Sequence, residues 1–84
     1  MKATLNELIE GIGYSTIEVT IETPIAKSNF VMEIDHVSKA EHGYYVEAED
    51  GCFLELSEDA DVILEGKSYY VSKDDCYICI KTNT

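Results

Sequence analysis

From Ser15 to Lys81 the chain is built of short runs in which apolar residues recur at every second position. That is the period of a β-strand with one face in a core and the other in water. Ile17, Val19 and Ile21 alternate with Glu18, Thr20 and Glu22, and Pro24, which has no N–H for a ladder, ends the run. The alternation resumes from Asn29 to Val37, with Phe30, Met32 and Ile34 inward and Val31, Glu33 and Asp35 outward. A linking loop is expected from Ser38 to Gly43.

Around Asp50-Gly51 the pattern selects a register as well as a strand. A two-residue turn would put Glu47 opposite Leu54 on one face and mix charge into the core. A three-residue loop of Glu49, Asp50 and Gly51, with Gly51 in the left-handed bulge position, pairs Ala48 with Cys52, Val46 with Leu54 and Tyr44 with Leu56. All inward residues are then apolar or aromatic, and Tyr45, Glu47, Phe53 and Glu55 face outward.

Further on, residues 57–61 read as a helical turn or a loop before Val62 to Leu64, and Glu65-Gly66 as the next turn, setting Val62 near Tyr69 and Ala60 near Val71. Cys76 to Lys81 is expected to return beside Tyr69 to Ser72 after the polar Lys73-Asp74-Asp75 loop. Only the start of the chain has a helical period. Thr4 and Glu7 form a capping-box pattern, Leu5, Leu8, Ile9 and Ile12 share one face, and Gly11 and Gly13 are expected to stop the helix. So short a helix is stable only on an apolar support. The expected fold is α+β, mainly β: a strongly bent antiparallel sheet or small partly open barrel of about five to six strands with one short N-terminal helix.

Residues 1–84 make a single domain with one modest core on this reading. With 45% hydrophobic residues the chain lies outside the composition of disordered proteins. No apolar run approaches a membrane span and no signal-peptide pattern opens the chain, so a cytoplasmic location and no membrane partner are expected. Cys52, Cys76 and Cys79 are then expected as free thiols.

Charge bears on function. Seventeen Asp and Glu stand against six Lys and no Arg, a formal net charge of -11. This excludes the basic footprint of direct nucleic-acid binding and points to a basic partner or to solubility. Glu18, Glu22, Glu33, Asp35, Glu47, Glu49 and Glu55 all project from the expected core. Alternate strand residues lie about 6.6 to 6.8 Å apart, a spacing comparable to successive phosphates on a nucleic-acid backbone. Outward Glu also keeps a small domain soluble. Glu and Asp are nevertheless poor strand formers, and their recurrence on several strands favours a binding face.

Other chemistry is weakly signalled. Cys76-Tyr77-Ile78-Cys79 has C-x-x-C spacing, and Cys52 with His36 or His42 could complete a zinc set, but alternation along a strand points the two thiols to opposite faces. Asp74 and Asp75 oppose the lowered thiol pKa of a reactive cysteine. His36 and His42 lack a nucleophile pattern, residues 57–61 lack the central Gly and acid spacing of an EF-hand, and no Gly-rich phosphate loop occurs. No catalytic residue, metal or cofactor is expected.

Small size, high acidity, abundant Tyr and Ile, a mixed β pattern and no catalytic motif together resemble the small proteins that phages and mobile elements direct against host defences, of which anti-CRISPR proteins are the familiar group. The resemblance is one of overall character and carries no motif. It implies a non-enzymatic inhibitor that occupies the basic nucleic-acid site of a partner such as a CRISPR effector nuclease. The implied surface is built around Glu33, Asp35, Glu47, Glu49 and Glu55, flanked by Tyr45 and Phe53. The competing expectation is a homo-oligomeric assembly module using Tyr44, Tyr45, Tyr69, Tyr70 and Tyr77, and a homodimer presenting two acidic faces satisfies both.

Overall fold

The structure is a computed structural model and describes residues 1–13 and 15–82. Among these residues the fold is mainly β, with one helix, α1 (Leu5–Ile12), and eight strands rather than five to six. These are β1 (Lys2–Ala3), β2 (Thr16–Glu22), β3 (Lys27–Ala40), β4 (Gly43–Ala48), β5 (Phe53–Ser57), β6 (Asp61–Glu65), β7 (Ser68–Lys73) and β8 (Cys76–Thr82). The two-residue β1 is too short to show a period, and what marks it as a strand is its pairing with β6.

All eight strands form one antiparallel sheet in the order β1-β6-β7-β8-β2-β3-β4-β5. The end strands β1 and β5 do not pair, so the sheet is open. Laid flat, eight strands would span about 34 Å, yet the largest Cα extent is 29 Å and the smallest 26 Å. The sheet is therefore strongly curled. Its inner face and α1 bury one cluster, with Leu8, Ile12, Ile17, Val19, Met32, Val46, Leu56 and Ile80 almost fully excluded from water. Each such Leu or Ile contributes about 1.5–3 kcal/mol.

The helix starts where its cap pattern places it. Thr4 Oγ1 accepts the Glu7 N–H at 3.2 Å and its hydroxyl donates to Glu7 Oε1. Gly13, at φ 52°, closes the helix by donating its N–H to Ile9 O, whereas Gly11 is helical and does not stop it. Two tyrosines support the helix on the sheet. The Tyr44 hydroxyl donates to Asn6 Oδ1 at 2.5 Å, and the buried Tyr69 lies against Gly11.

The Asp50-Gly51 hairpin has the expected register, with Tyr44↔Leu56 and Val46↔Leu54, Gly51 at φ 94°, and Ala48 N–H donating to Cys52 O. Two other readings are corrected, and one is narrowed. The expected loop from Ser38 to Gly43 shrinks to Glu41-His42, because Ser38, Lys39 and Ala40 find partners in Tyr45, Tyr44 and Gly43. Of the two alternatives for residues 57–61, the loop is the one found: residues 58–60 turn between β5 and β6, with Ala60 N–H donating to Ser57 O. Val62 pairs with Val71 and Leu64 with Tyr69, two residues from the expected register, because the loop is Gly66-Lys67 with Gly66 at φ 62°. Glycine at the first loop position is what a type II′ hairpin requires. Among the described residues no helix is long and apolar enough to cross a membrane.

Candidate acidic binding face

The site begins with a bulge. Ile34 pairs with Ala48 but His36 pairs with Glu47, so Asp35 is an extra residue on β3. A bulge reverses which residues face inward beyond it and bends the strand. Phe30, Met32 and Ile34 therefore face the core before it, Val37 packs on the core after it, and His36 is held outward. The consecutive polar pair Asp35-His36 between Ile34 and Val37 is the sequence mark of this bulge.

All seven expected partner-binding residues lie on the β3–β4–β5 half of the molecule. Tyr45, Glu47, Phe53 and Glu55, with Ser38, line a shallow hollow of about 350 Å³. Glu33 and Glu49, with Val31, Ala48 and Asp50, line a second of about 370 Å³. The Glu49 N–H donates to Glu33 O at 3.0 Å, which ties the hairpin loop to β3 and brings these two acids together. Tyr45 and Phe53 are diagonal across β4 and β5 and meet edge to face, with centroids 6.0 Å apart and planes at 71°. Phe53 is nonetheless 61% exposed. Exposed aromatic rings are the side chains in which binding energy concentrates at interfaces.

His36 is the site residue that sequence patterning missed. Its Nδ1 lies 3.1 Å from Asp35 Oδ2 and its Nε2 contacts Glu47 Oε2. The ring can donate to both carboxylates only when both nitrogens carry hydrogen. The ring lies between the two carboxylates in the acidic half.

The other half of the outer face differs. Glu18 stands opposite Lys81 and Glu22 opposite Lys27 across the ladder, so the acids of β2 are matched by lysines. Between them runs a neutral row, Ile63, Tyr70, Cys79 and Thr20, with the 57% exposed Tyr77 beside it. The five tyrosines expected as contact material are thus sorted. Tyr69 is buried, Tyr44 and Tyr45 are half-buried, and Tyr70 and Tyr77 are open.

The cysteines are separated as alternation requires. Cys76 lines a hollow with inward Leu56, Val71 and Ile78, and Cys79 lies in the outer row. Cys52 is exposed, and the charge of the neighbouring Asp50 carboxylate, with a hydrogen bond to it, pushes its thiol pKa up. No family model, curated protein or solved structure matches this chain.

Proposed function

We propose that this protein is a non-enzymatic inhibitor of the anti-CRISPR type, which docks its β3–β4–β5 face on the basic nucleic-acid site of a host defence nuclease and excludes DNA or RNA. The observation that carries this reading is the collection of Glu33, Asp35, Glu47, Glu49 and Glu55 around the Tyr45–Phe53 pair, with no lysine lining either hollow. A groove lined by Lys and Arg gains much of its affinity from neutralising regularly spaced negative charge. A rigid acidic sheet presents such charge without a phosphate backbone, and the two rings supply apolar contact that survives screening.

The test is capture of partners from the native host lysate on tagged protein, washed at low and then raised salt. The expected partner is a nucleic-acid-binding protein that elutes with salt and whose nucleic-acid binding the inhibitor blocks. A salt-indifferent complex that leaves nucleic-acid binding intact counts against the proposal.

The exposed row of Ile63, Tyr70 and Tyr77 favours a second reading, a self-assembling module that buries this row against another copy. Sedimentation separates the two. A stable oligomer that Tyr77→Lys dissociates supports assembly, and an acidic monomer supports the inhibitor.

A further inference from the structure

The two ends of the sheet are treated differently. At one end the edge strand is the two-residue β1, held to β6 where Lys2 and Ala3 pair with Ile63 and Val62 and Met1 exchanges backbone hydrogen bonds of 2.8 and 2.9 Å with Leu64, so it offers little edge to pair with. At the other end β5 has a partner only in β4. The direction of its free groups follows from the ladder. Ala48 N–H donates to Cys52 O and Glu58 N–H donates to His42 O, both at 2.8 Å. Bonded pairs recur at every second residue of an antiparallel ladder, so Leu54 and Leu56 bond β4. The N–H and C=O of Phe53 and Glu55, and the N–H of Ser57, point to the open side.

Beside that edge lies a hollow of about 530 Å³. Its floor is apolar: Leu56 from β5, Ala60, Val71, and Cys76 and Ile78 from β8, with Pro24 at the side. Glu55, Asp74 and Asp75 stand at its rim, and the one lysine there, Lys73, is held by Asp59 at 2.9 Å. The volume falls within the roughly 300–1,000 Å³ of ligand-binding clefts.

The geometry points to strand addition: the β5 edge accepts an extended segment of a partner in which Lys or Arg alternates with large apolar residues. Main-chain groups of the segment bond Phe53 and Glu55, as in other β-augmented complexes. Because side chains alternate between faces, its apolar residues enter the hollow beside Leu56 while its basic residues stand beside Glu55. A second copy of this chain is the poorer occupant. Antiparallel pairing of β5 about Glu55 would set Glu55 against Glu55, and like charges directly opposite are destabilising. The site rests on the reading that the partner is basic, and it meets the acidic face at Glu55, which lines both hollows.

The probe is the synthetic peptide Lys-Leu-Lys-Leu-Lys-Leu-Lys, titrated into ¹⁵N-labelled protein at low ionic strength. The amides of Phe53, Glu55 and Ser57 should shift and exchange more slowly with solvent. A peptide of the same composition in blocks, and one N-methylated on alternate residues facing β5, should each bind about tenfold or more weakly, the worth of one or two backbone hydrogen bonds. Glu55→Pro removes the free N–H together with the carboxylate, and Glu55→Gln removes the carboxylate alone; only the Pro variant should abolish the exchange protection of Phe53 and Ser57, while the β4 amides keep their shifts in both. Equal binding by the methylated peptide, or shifts confined to the outer-face residues Glu33 and Glu47, overturns the proposal. If the peptide takes the edge but the protein blocks no nucleic-acid binder, the inhibitor reading alone fails. If blocking occurs with the edge amides unperturbed, the edge site alone fails.

Discussion

Gly11 and Tyr69 touch so closely that a Cβ on Gly11 would lie 2.0 Å from the Tyr69 Oη and 2.9 Å from its Cζ. A glycine inside a helix ordinarily costs about 1 kcal/mol relative to alanine, so Gly11 works against α1 as an isolated helix. It is kept by packing, since it lets the helix settle on the ring that supports it. Gly11→Ala is therefore expected to destabilise the protein by about 1–3 kcal/mol, the usual cost of overpacking. Tyr69→Phe in the same chain should recover part of the loss by removing the clashing hydroxyl. Urea unfolding of the two variants checks this, and a more stable Gly11→Ala would refute the contact.

Gly43 meets a harder obstacle. A Cβ there would lie 1.8 Å from the Leu56 carbonyl oxygen, a backbone atom of the β4–β5 ladder. A tyrosine ring can swing aside, but a ladder carbonyl moves only with its strand. Gly43→Ala should thus cost more than Gly11→Ala, and hydrogen exchange should speed up at Tyr44, Val46, Leu54 and Leu56, whose amides bond across that hairpin.

Cys52 should alkylate slowly for an exposed thiol. The Asp50 carboxylate raises its pKa, so less thiolate is present at neutral pH. Asp50→Asn should bring the pKa down towards its ordinary value and accelerate iodoacetamide labelling at Cys52, with Cys76 and Cys79 as internal references. Unchanged kinetics would contradict the role of that charge.

The Asp59–Lys73 pair gives a pH dependence of defined sign. Hydrogen bonds from Lys73 and Ser57 lower the Asp59 pKa below 3.8, and Asp59 in turn raises that of Lys73 above 10.5. A lowered carboxyl pKa contributes stability above the unfolded value that is lost as pH falls through the folded one. A raised lysine pKa contributes stability that is lost as pH rises through its folded value. Asp59→Asn should therefore lower stability between these limits and match the parent below them. The pair is exposed, so the effect is small and shrinks with salt. Thermal unfolding of both proteins at pH 2, 7 and 12 reads it.

Glu33, Glu47 and Glu55 face outward and support no core contact, so the triple Gln variant should keep the fold. Its affinity for the captured basic partner should fall about tenfold at low ionic strength, from three exposed charge contacts of about 0.5 kcal/mol each, and the salt dependence should flatten. Undiminished affinity would remove the acidic face as the docking surface.

Much of this face was legible beforehand. Alternation placed Glu33, Tyr45, Glu47, Phe53 and Glu55 outward, and the single register that kept charge out of the core fixed the β4–β5 pairing. The clustering of Glu33 with Glu49, and the bridging of Asp35 and Glu47 by His36, depend on the bulge and on the Glu49–Glu33 backbone bond. The bulge is marked in the sequence only by the polar pair Asp35-His36, and the Glu49–Glu33 bond by nothing local.

What the sequence by itself determined is local: the Thr4 cap, the helical stripe, the side of each strand that faces water, and one hairpin register. A period of two and a cap are set by residues within a few positions of each other, so they can be read in line. Tertiary structure decided the rest. The Val62↔Val71 register is a two-residue slip that leaves the same side chains inward, so hydrophobic pattern cannot distinguish it and the Gly66-Lys67 turn does. The return of β8 beside β7 was expected from the Lys73-Asp74-Asp75 loop, but the pairing of β8 with β2, the pairing of β1 with β6 and the free edge of β5 depend on how one curled sheet closes over α1. Strand neighbours far apart in the chain are chosen by the packing that buries the most apolar surface, and no single segment carries that information.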